Sequence, residues 1–387
     1  MVPATVNSLV SPAAPGSGES HLSVGPGGEV VMSWLEPEGR GHALRFSVLA
    51  GSAWTAAQTV ATGDNWFVNW ADFPSVVPIT TRLWAAHWLV RQPAGGYAYD
   101  IAMSLSVDGG GTWETPFSPH RDGTPTEHGF ATLFPWRDGV GVVWLDGRQT
   151  LGEAAGHAPH GGEEGGMSLR AAIVGPDGVA SHESVIDSLT CDCCQTDATA
   201  GTGSPIVVYR DRTGDEIRDI YAARAIGGRW AEPAPVAGDD WRIDACPVNG
   251  PAIAARGPEV VVAWFTGASD RPRVQLSWSH DGGGAFLPPL EVDADAARGR
   301  VGVALLPNGD AAVSWLRSSG ADGSVAVRRV RPDGGLGPVR IVGQTVASRP
   351  GGVPQLVASD GKVVLSWTEV EGEASRVQSA WISAVGL

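Results

Sequence analysis

The chain has 387 residues and a formal charge of −15, from 27 Lys+Arg against 42 Asp+Glu. That balance argues against nucleic acid or an anionic membrane surface as a partner. No apolar run reaches the length of a membrane span, so no membrane insertion is expected. Hydrophobic residues make up 43% of the chain, enough for a full core, while 53 glycines, 28 prolines and 16 tryptophans point to short strands and tight turns. Lys362 is the only lysine and stands at the edge of an apolar strand, so lysine-nucleophile chemistry is not expected.

In chain order, a short apolar strand ending in an aromatic recurs at 30–34, 83–88, 140–144, 206–209, 260–264, 311–315 and 363–367. Successive aromatics are 54, 56, 65, 55, 51 and 52 residues apart. A period near 50 with about four strands per unit predicts an all-β fold, a seven-bladed β-propeller. Six blades is the alternative if a terminal unit is irregular. The reading is one domain over 1–387, with blades at about 20–62, 70–120, 128–188, 189–239, 241–293, 300–343 and 348–387. Residues 5–10 are expected to supply the last blade's missing outer strand, closing the ring so that no open sheet edge remains. The long 65-residue spacing reflects a glycine-rich insertion over 152–166 carrying His157 and His160, either a lid or a solvated excursion.

In a propeller, the innermost strand of each blade begins on one face near the axis, where binding sites gather because loops from every blade meet there. Equivalent positions in this chain hold His21, then Asp72 between Trp70 and Phe73, then Glu127 and His128. They continue with Cys191, Cys193 and Cys194, then Asp244 and Cys246, Arg298 and Arg300, and Arg349. Loops after the aromatic strands add Asp146, Arg148, Arg210, Asp211, Arg212, Glu216 and Glu369. Asp72, flanked by aromatics, is the best candidate for a carboxyl of raised pKa; its plainer role is to cap a turn. The arginines could hold an anionic group or form inter-blade ion pairs. His87 lies within a strand and reads as packing.

All four cysteines of the chain fall at two successive blade starts, so their thiols can meet. They could form disulfides, for example Cys194 with Cys246. They could instead bind zinc or copper as Cys191, Cys193, Cys194 and Cys246, with His128 or an Asp completing a three-thiol site. A nucleophilic thiolate beside the arginines is the third possibility.

Two turns, SVDGGGTW over 106–113 and the weaker SHDGGGAF over 279–286, resemble the Asp box of the sialidase superfamily. The resemblance implies an exported propeller, periplasmic or secreted, in which Asp108 and Asp281 are structural. Residues 1–7 show neither the basic nor the apolar region of a signal peptide, as expected of a mature or trimmed chain. Sialidases use an arginine triad, an Asp acid/base and a Tyr–Glu nucleophile. Here the early Phe/Tyr-Arg-Ile-Pro segment is absent, and none of Tyr97, Tyr99, Tyr209 and Tyr221 opens a blade.

The expectation is a divergent, cysteine-containing propeller acting as a monomeric, metal-dependent hydrolase on a small anionic ester. Zinc or copper would sit on the cysteines, Asp72 or His128 would move protons, and Arg148, Arg210 or Arg300 would hold the substrate. Alternatives are a non-catalytic copper-binding propeller and an exo-sialidase-like glycoside hydrolase.

Overall fold

A computed structural model of the chain describes residues 5–151, 166–201 and 204–387. Most of the insertion, with His157 and His160, lies outside the described residues. Seven antiparallel sheets follow one another along the chain as the blades of a propeller. Six carry four or more strands. The second carries Ser75–Pro78, Trp84–Arg91 and Tyr99–Ser106, with a single bridge, Met103 to Phe117, in the outer position.

The recurrent apolar segment is the second strand of each blade. These strands include Val30–Glu38, Gly139–Asp146, Pro205–Arg210, Glu259–Thr266, Ala311–Ser319 and Lys362–Glu371. They are flanked by strands on both sides and buried on both faces, which is why they read as continuous apolar runs rather than as alternation. Their aromatics pack between blades, and five of the seven donate to a carboxylate. Trp34 Nε1 reaches Glu36 at 2.9 Å, Trp144 reaches Asp146 at 2.7 Å, Trp264 reaches Asp239 at 2.7 Å and Trp315 reaches Asp293 at 2.8 Å. The Tyr209 hydroxyl reaches Asp187 at 2.5 Å. A buried indole N–H needs such a partner, and the carboxylate ties each core to its blade's rim.

Asn7–Leu9 pairs with Ala374–Ser383, so the last blade is built from both ends of the chain, as the repeat requires. No helix among the described residues is long and apolar enough to cross a membrane.

One device recurs where blades begin. The inner strands Gly18–Val24, His128–Trp136 and Ala297–Leu305 each start with a register shift. There a non-glycine residue takes positive φ: Glu19 at 50°, Phe130 at 51° and Arg300 at 54°. Such bulges re-aim the side chains beside them and free a backbone N–H from the ladder. The Phe130 N–H is taken by Asp72 Oδ1 at 2.8 Å, and the Arg300 N–H by Asn249 Oδ1 at 2.7 Å. Asp72 and Asn249 thus do the same structural work in different blades.

Candidate functional site

Each inner strand runs away from this face, so the start of each third strand returns to it. Tyr99 therefore lies on the same face as Ser75 and Arg91, while Trp84 and Ser106 lie at the opposite end. The Asp boxes belong to that opposite end. Asp108 accepts the Ser106 hydroxyl and the Thr112 N–H and hydroxyl, and Asp281 accepts from Ser279 and Ala285.

Three groups meet on the blade-start face between blades 2 and 3. The Tyr99 hydroxyl lies 2.9 Å from Asp72 Oδ2 and 2.7 Å from Glu127 Oε1. A phenol has one proton, so with both carboxyls ionised one of them would face a bare oxygen; a shared proton relieves this. Burial pushes Asp72 up to about 7. Burial also pushes Glu127 up to about 8, with the charges of Asp72, Asp192 and Cys246 adding to it. Tyr99 is fully buried, stacks on Phe67 at 4.1 Å between ring centroids, and is held well above the usual phenol range by burial and the two carboxyls. It is a proton link between two acids, not an exposed nucleophile. Gly129 makes the close approach possible, since a Cβ there would collide with the Asp72 carboxylate and the Tyr99 ring.

The thiols gather next to this group. Cys191 Sγ lies 3.4 Å from Cys194 Sγ and 3.8 Å from Cys193 Sγ, and Cys193 is in hydrogen-bonding contact with Cys246. No disulfide joins them; Cys191 and Cys194 are buried, Cys193 is half-buried and Cys246 is exposed. Cys191 N–H bonds the Arg210 carbonyl at 3.1 Å, anchoring the cluster over the end of blade 4's second strand. Arg218 Nη1 donates to Cys191 Sγ at 3.3 Å, while its other nitrogens grip Glu216 at 3.1 and 2.7 Å. The Asn249 N–H donates to Cys194 Sγ at 3.4 Å. Burial alone would raise the Cys191 thiol, but the neighbouring thiols and Arg218 outweigh it and draw it well below its usual range. Burial pushes the Cys194 thiol up.

An axial cavity of about 460 Å³ opens along the propeller axis. Asp72 and Arg300 line it, but none of the four cysteines, His128, Arg148 or Arg210 does. The sequence reading placed all of these at one mouth; the structure separates them by radius. Residues 195–200 turn to the axis, whereas 191–194 lie earlier in the crossover and stay outside it.

The arginines are occupied. Arg210 is buried, donates to the carbonyls of Asn249, Arg218 and Phe265, and stacks on Trp241 at 4.8 Å. Arg300 donates to the carbonyls of Ser348 and Gly352 and lies 4.4 Å over Trp70. Burial lowers Arg300 to about 10. Arg148 grips Asp146 and Asp122 at 2.7 and 3.3 Å. His128 is fully buried with His120, Asp100, Asp122 and Asp146, away from the thiols. Arg242 is exposed. His87 bonds Ser75 at 2.9 Å, as a packing residue should.

Tyr99 escaped the sequence reading because only blade starts were compared; the rule that antiparallel third strands begin on the same face would have found it. His120 and Asp122 follow an Asp box and carry no local signal.

No protein-family model matches this sequence, and no curated protein matches it. Among solved structures, a protein of unknown function from Dyadobacter fermentans is similar over 99% of this chain and 98% of its own, at TM-score 0.53 and 14% identity. The polysaccharide lyase Uly1 is similar over 95% of this chain and 89% of its own, at TM-score 0.52 and 11% identity. A Trypanosoma rangeli sialidase is similar over 95% of this chain and 60% of its own, at TM-score 0.50 and 11% identity. At such identities the likeness is one of fold: a sialidase-like seven-bladed propeller.

Proposed function

We propose that the protein is a metal-dependent hydrolase in which Cys191, Cys193, Cys194 and Cys246 hold a zinc or copper ion and Asp72 and Glu127 move protons beside it. The observation that carries this reading is the gathering of Cys191, Cys193 and Cys194, with Cys246 in contact with Cys193, next to a carboxyl–phenol–carboxyl chain. Thiolates bonded to zinc at about 2.3 Å in a tetrahedron stand about 3.8 Å apart, close to the 3.4 and 3.8 Å between the cysteine sulfurs. Arg218 and the Asn249 N–H supply the outer hydrogen bonds that orient and stabilise thiolate ligands.

The metal would supply Lewis acidity or a bound hydroxide. The half-buried Glu127 is the group through which protons exchange with the site, and Asp72, joined to it through Tyr99, stores the second proton. Two carboxyls poised near neutrality suit general acid–base work. The exposed Cys246 is the ligand best able to give way to substrate.

A second reading has its own observation. Two of the thiols are buried and the sulfurs of Cys191, Cys193 and Cys194 lie within 4.8 Å of one another, which suits Cu(I) held without turnover. The Tyr99–Glu127 pair contains the residue types of a sialidase nucleophile, yet burial of the phenol opposes that use.

The test is metal analysis of purified protein with a panel of ester and glycoside substrates. The hydrolase reading expects bound zinc or copper, lost in Cys193→Ala, and turnover lost in both Cys193→Ala and Glu127→Gln. Metal binding with no turnover on any substrate supports the copper reading. Turnover that survives Cys193→Ala overturns the metal-dependent mechanism.

A further inference from the structure

Sulfur contacts run from the surface of the protein inward. Cys246 is exposed and contacts the half-buried Cys193. Cys193 Sγ lies 3.8 Å from Cys191 Sγ, which lies 3.4 Å from Cys194 Sγ, and these last two residues are buried. Cys191 and Cys194 stand at the two ends of a turn centred on Asp192 and Cys193. The ends of such a turn are under about 7 Å apart at Cα, a separation that matches the span of about 4.4–6.8 Å across a disulfide. Theirs is also the Cys-x-x-Cys spacing of dithiol redox centres. Arg218 Nη1 donates to Cys191 Sγ at 3.3 Å and the Asn249 N–H to Cys194 Sγ at 3.4 Å, so a donor faces each sulfur of the inner pair. Such donors stabilise a sulfur that carries negative charge while it attacks or leaves.

We propose that the four cysteines, when no metal is bound, are a thiol–disulfide relay that oxidises Cys191 and Cys194 to a disulfide, with a low-molecular-weight disulfide as oxidant. The Cys246 thiolate attacks one sulfur of the external disulfide and expels the first small thiol. Cys193 attacks Cys246 Sγ and expels the second, leaving a Cys193–Cys246 disulfide. Cys191 then attacks Cys193 and releases Cys246, and Cys194 attacks Cys191 and releases Cys193. In sum, one small disulfide and two protein thiols become two small thiols and the Cys191–Cys194 disulfide. Two electrons and two protons pass to the small molecule, and Cys193 and Cys246 end reduced. The inner pair is buried, so the oxidant reaches it only through the outer pair. Glu127 and Asp192 lie within electrostatic reach of Cys246, and the chain carries a charge of −15. An uncharged or cationic disulfide is therefore favoured over an anionic one. The relay uses the thiols of the metal reading but needs no metal, and an ion held on them would block it.

The test treats the reduced full chain, stripped of metal by a chelator, with one equivalent of hydroxyethyl disulfide. Remaining thiols are alkylated and the disulfides mapped by mass spectrometry, with circular dichroism as the check on folding. Cleavage before aspartates separates 187–191 from 192–196, so a disulfide from Cys191 holds these two fragments together. The alkylated neighbour within 192–196 then shows which of Cys193 and Cys194 is the partner. The expected product is the Cys191–Cys194 disulfide, with two mercaptoethanol molecules released for each one formed. Its formation is expected to be at least about tenfold slower in Cys246→Ser, because access to the first thiol sets the rate. Cys194→Ser is expected to stop without that product, with Cys193–Cys246 accumulating. Cysteines that stay reduced in the parent, or a small thiol held on Cys246 with no Cys191–Cys194 disulfide, overturn the proposal. An undiminished rate in Cys246→Ser, an exposed position where folding is not at stake, overturns it as well. No metal is present, so this outcome is read apart from the metal count that tests the hydrolase reading.

Discussion

At the scale of single residues, Asp72 has two demands on it. It accepts the bulged Phe130 N–H, a task that the neutral Asn249 performs for Arg300, and it shares the Tyr99 proton with Glu127. Because burial raises its folded pKa to about 7, above the ordinary value near 3.8, the folded state binds the extra proton between those limits. Stability from this group is full below about pH 4 and is lost as pH rises through about 7. A single such group changes stability by about 1.4 kcal/mol per pH unit in that window. Asp72→Asn keeps the bulge acceptor and removes the titration, so thermal melts from pH 4.5 to 7.5 should show a shallower decline than the parent. Equal slopes would remove Asp72 as the titrating group. Asp72 was legible in the sequence because two aromatics flank it at a blade start. Its partner Tyr99 was not, since a hydrogen bond from the loop before blade 2's first strand to the start of its third strand leaves no trace in local pattern.

At the scale of elements, hairpin turns and crossovers divide their roles between the two faces. The Asp boxes close turns on the far face through hydrogen bonds of Asp108 and Asp281 to their own loops. Asp108→Ala is expected to lower the melting temperature and leave the metal content unchanged. On the blade-start face, Gly129→Ala drives a Cβ against Asp72 and Tyr99, and overpacking of this kind costs about 1–3 kcal/mol. Chemical denaturation measures that loss; no loss would mean that the strand start can shift aside. Arg210 joins the end of a blade 4 strand to the carbonyls of Asn249 and Phe265 in blade 5. The sequence offered it as a substrate anchor because a charged residue at a strand end is ambiguous: only the surrounding carbonyls reveal that its N–H groups are satisfied. The repeated aromatic strands, in contrast, were plain to read. Burial on both faces imposes an apolar run, and the spacing of the runs counts the blades.

For the whole molecule, angular order along the chain was legible and radial depth was not. Period and aromatic spacing predict seven blades and the closure of Asn7–Leu9 on Ala374–Ser383. Deleting residues 1–10 should expose that edge and lower the melting temperature, with aggregation as the visible sign. The same equivalence of blade starts grouped Cys191, Cys193 and Cys194 with Cys246, which contacts Cys193, but it could not tell a residue facing the axial cavity from one lying behind the inner strands. Hence Asp72 and Arg300 line the cavity, the thiols stand outside it, and His128 belongs to a separate buried cluster. The most direct test is a paired count of metal and of reactive thiols per chain on the protein as isolated, in the parent and in Cys193→Ala. The thiolate centre predicts about one more zinc or copper ion in the parent than in the variant, with four reduced cysteines released by unfolding and chelation. Equal metal in the two proteins, or four cysteines found oxidised, would contradict it.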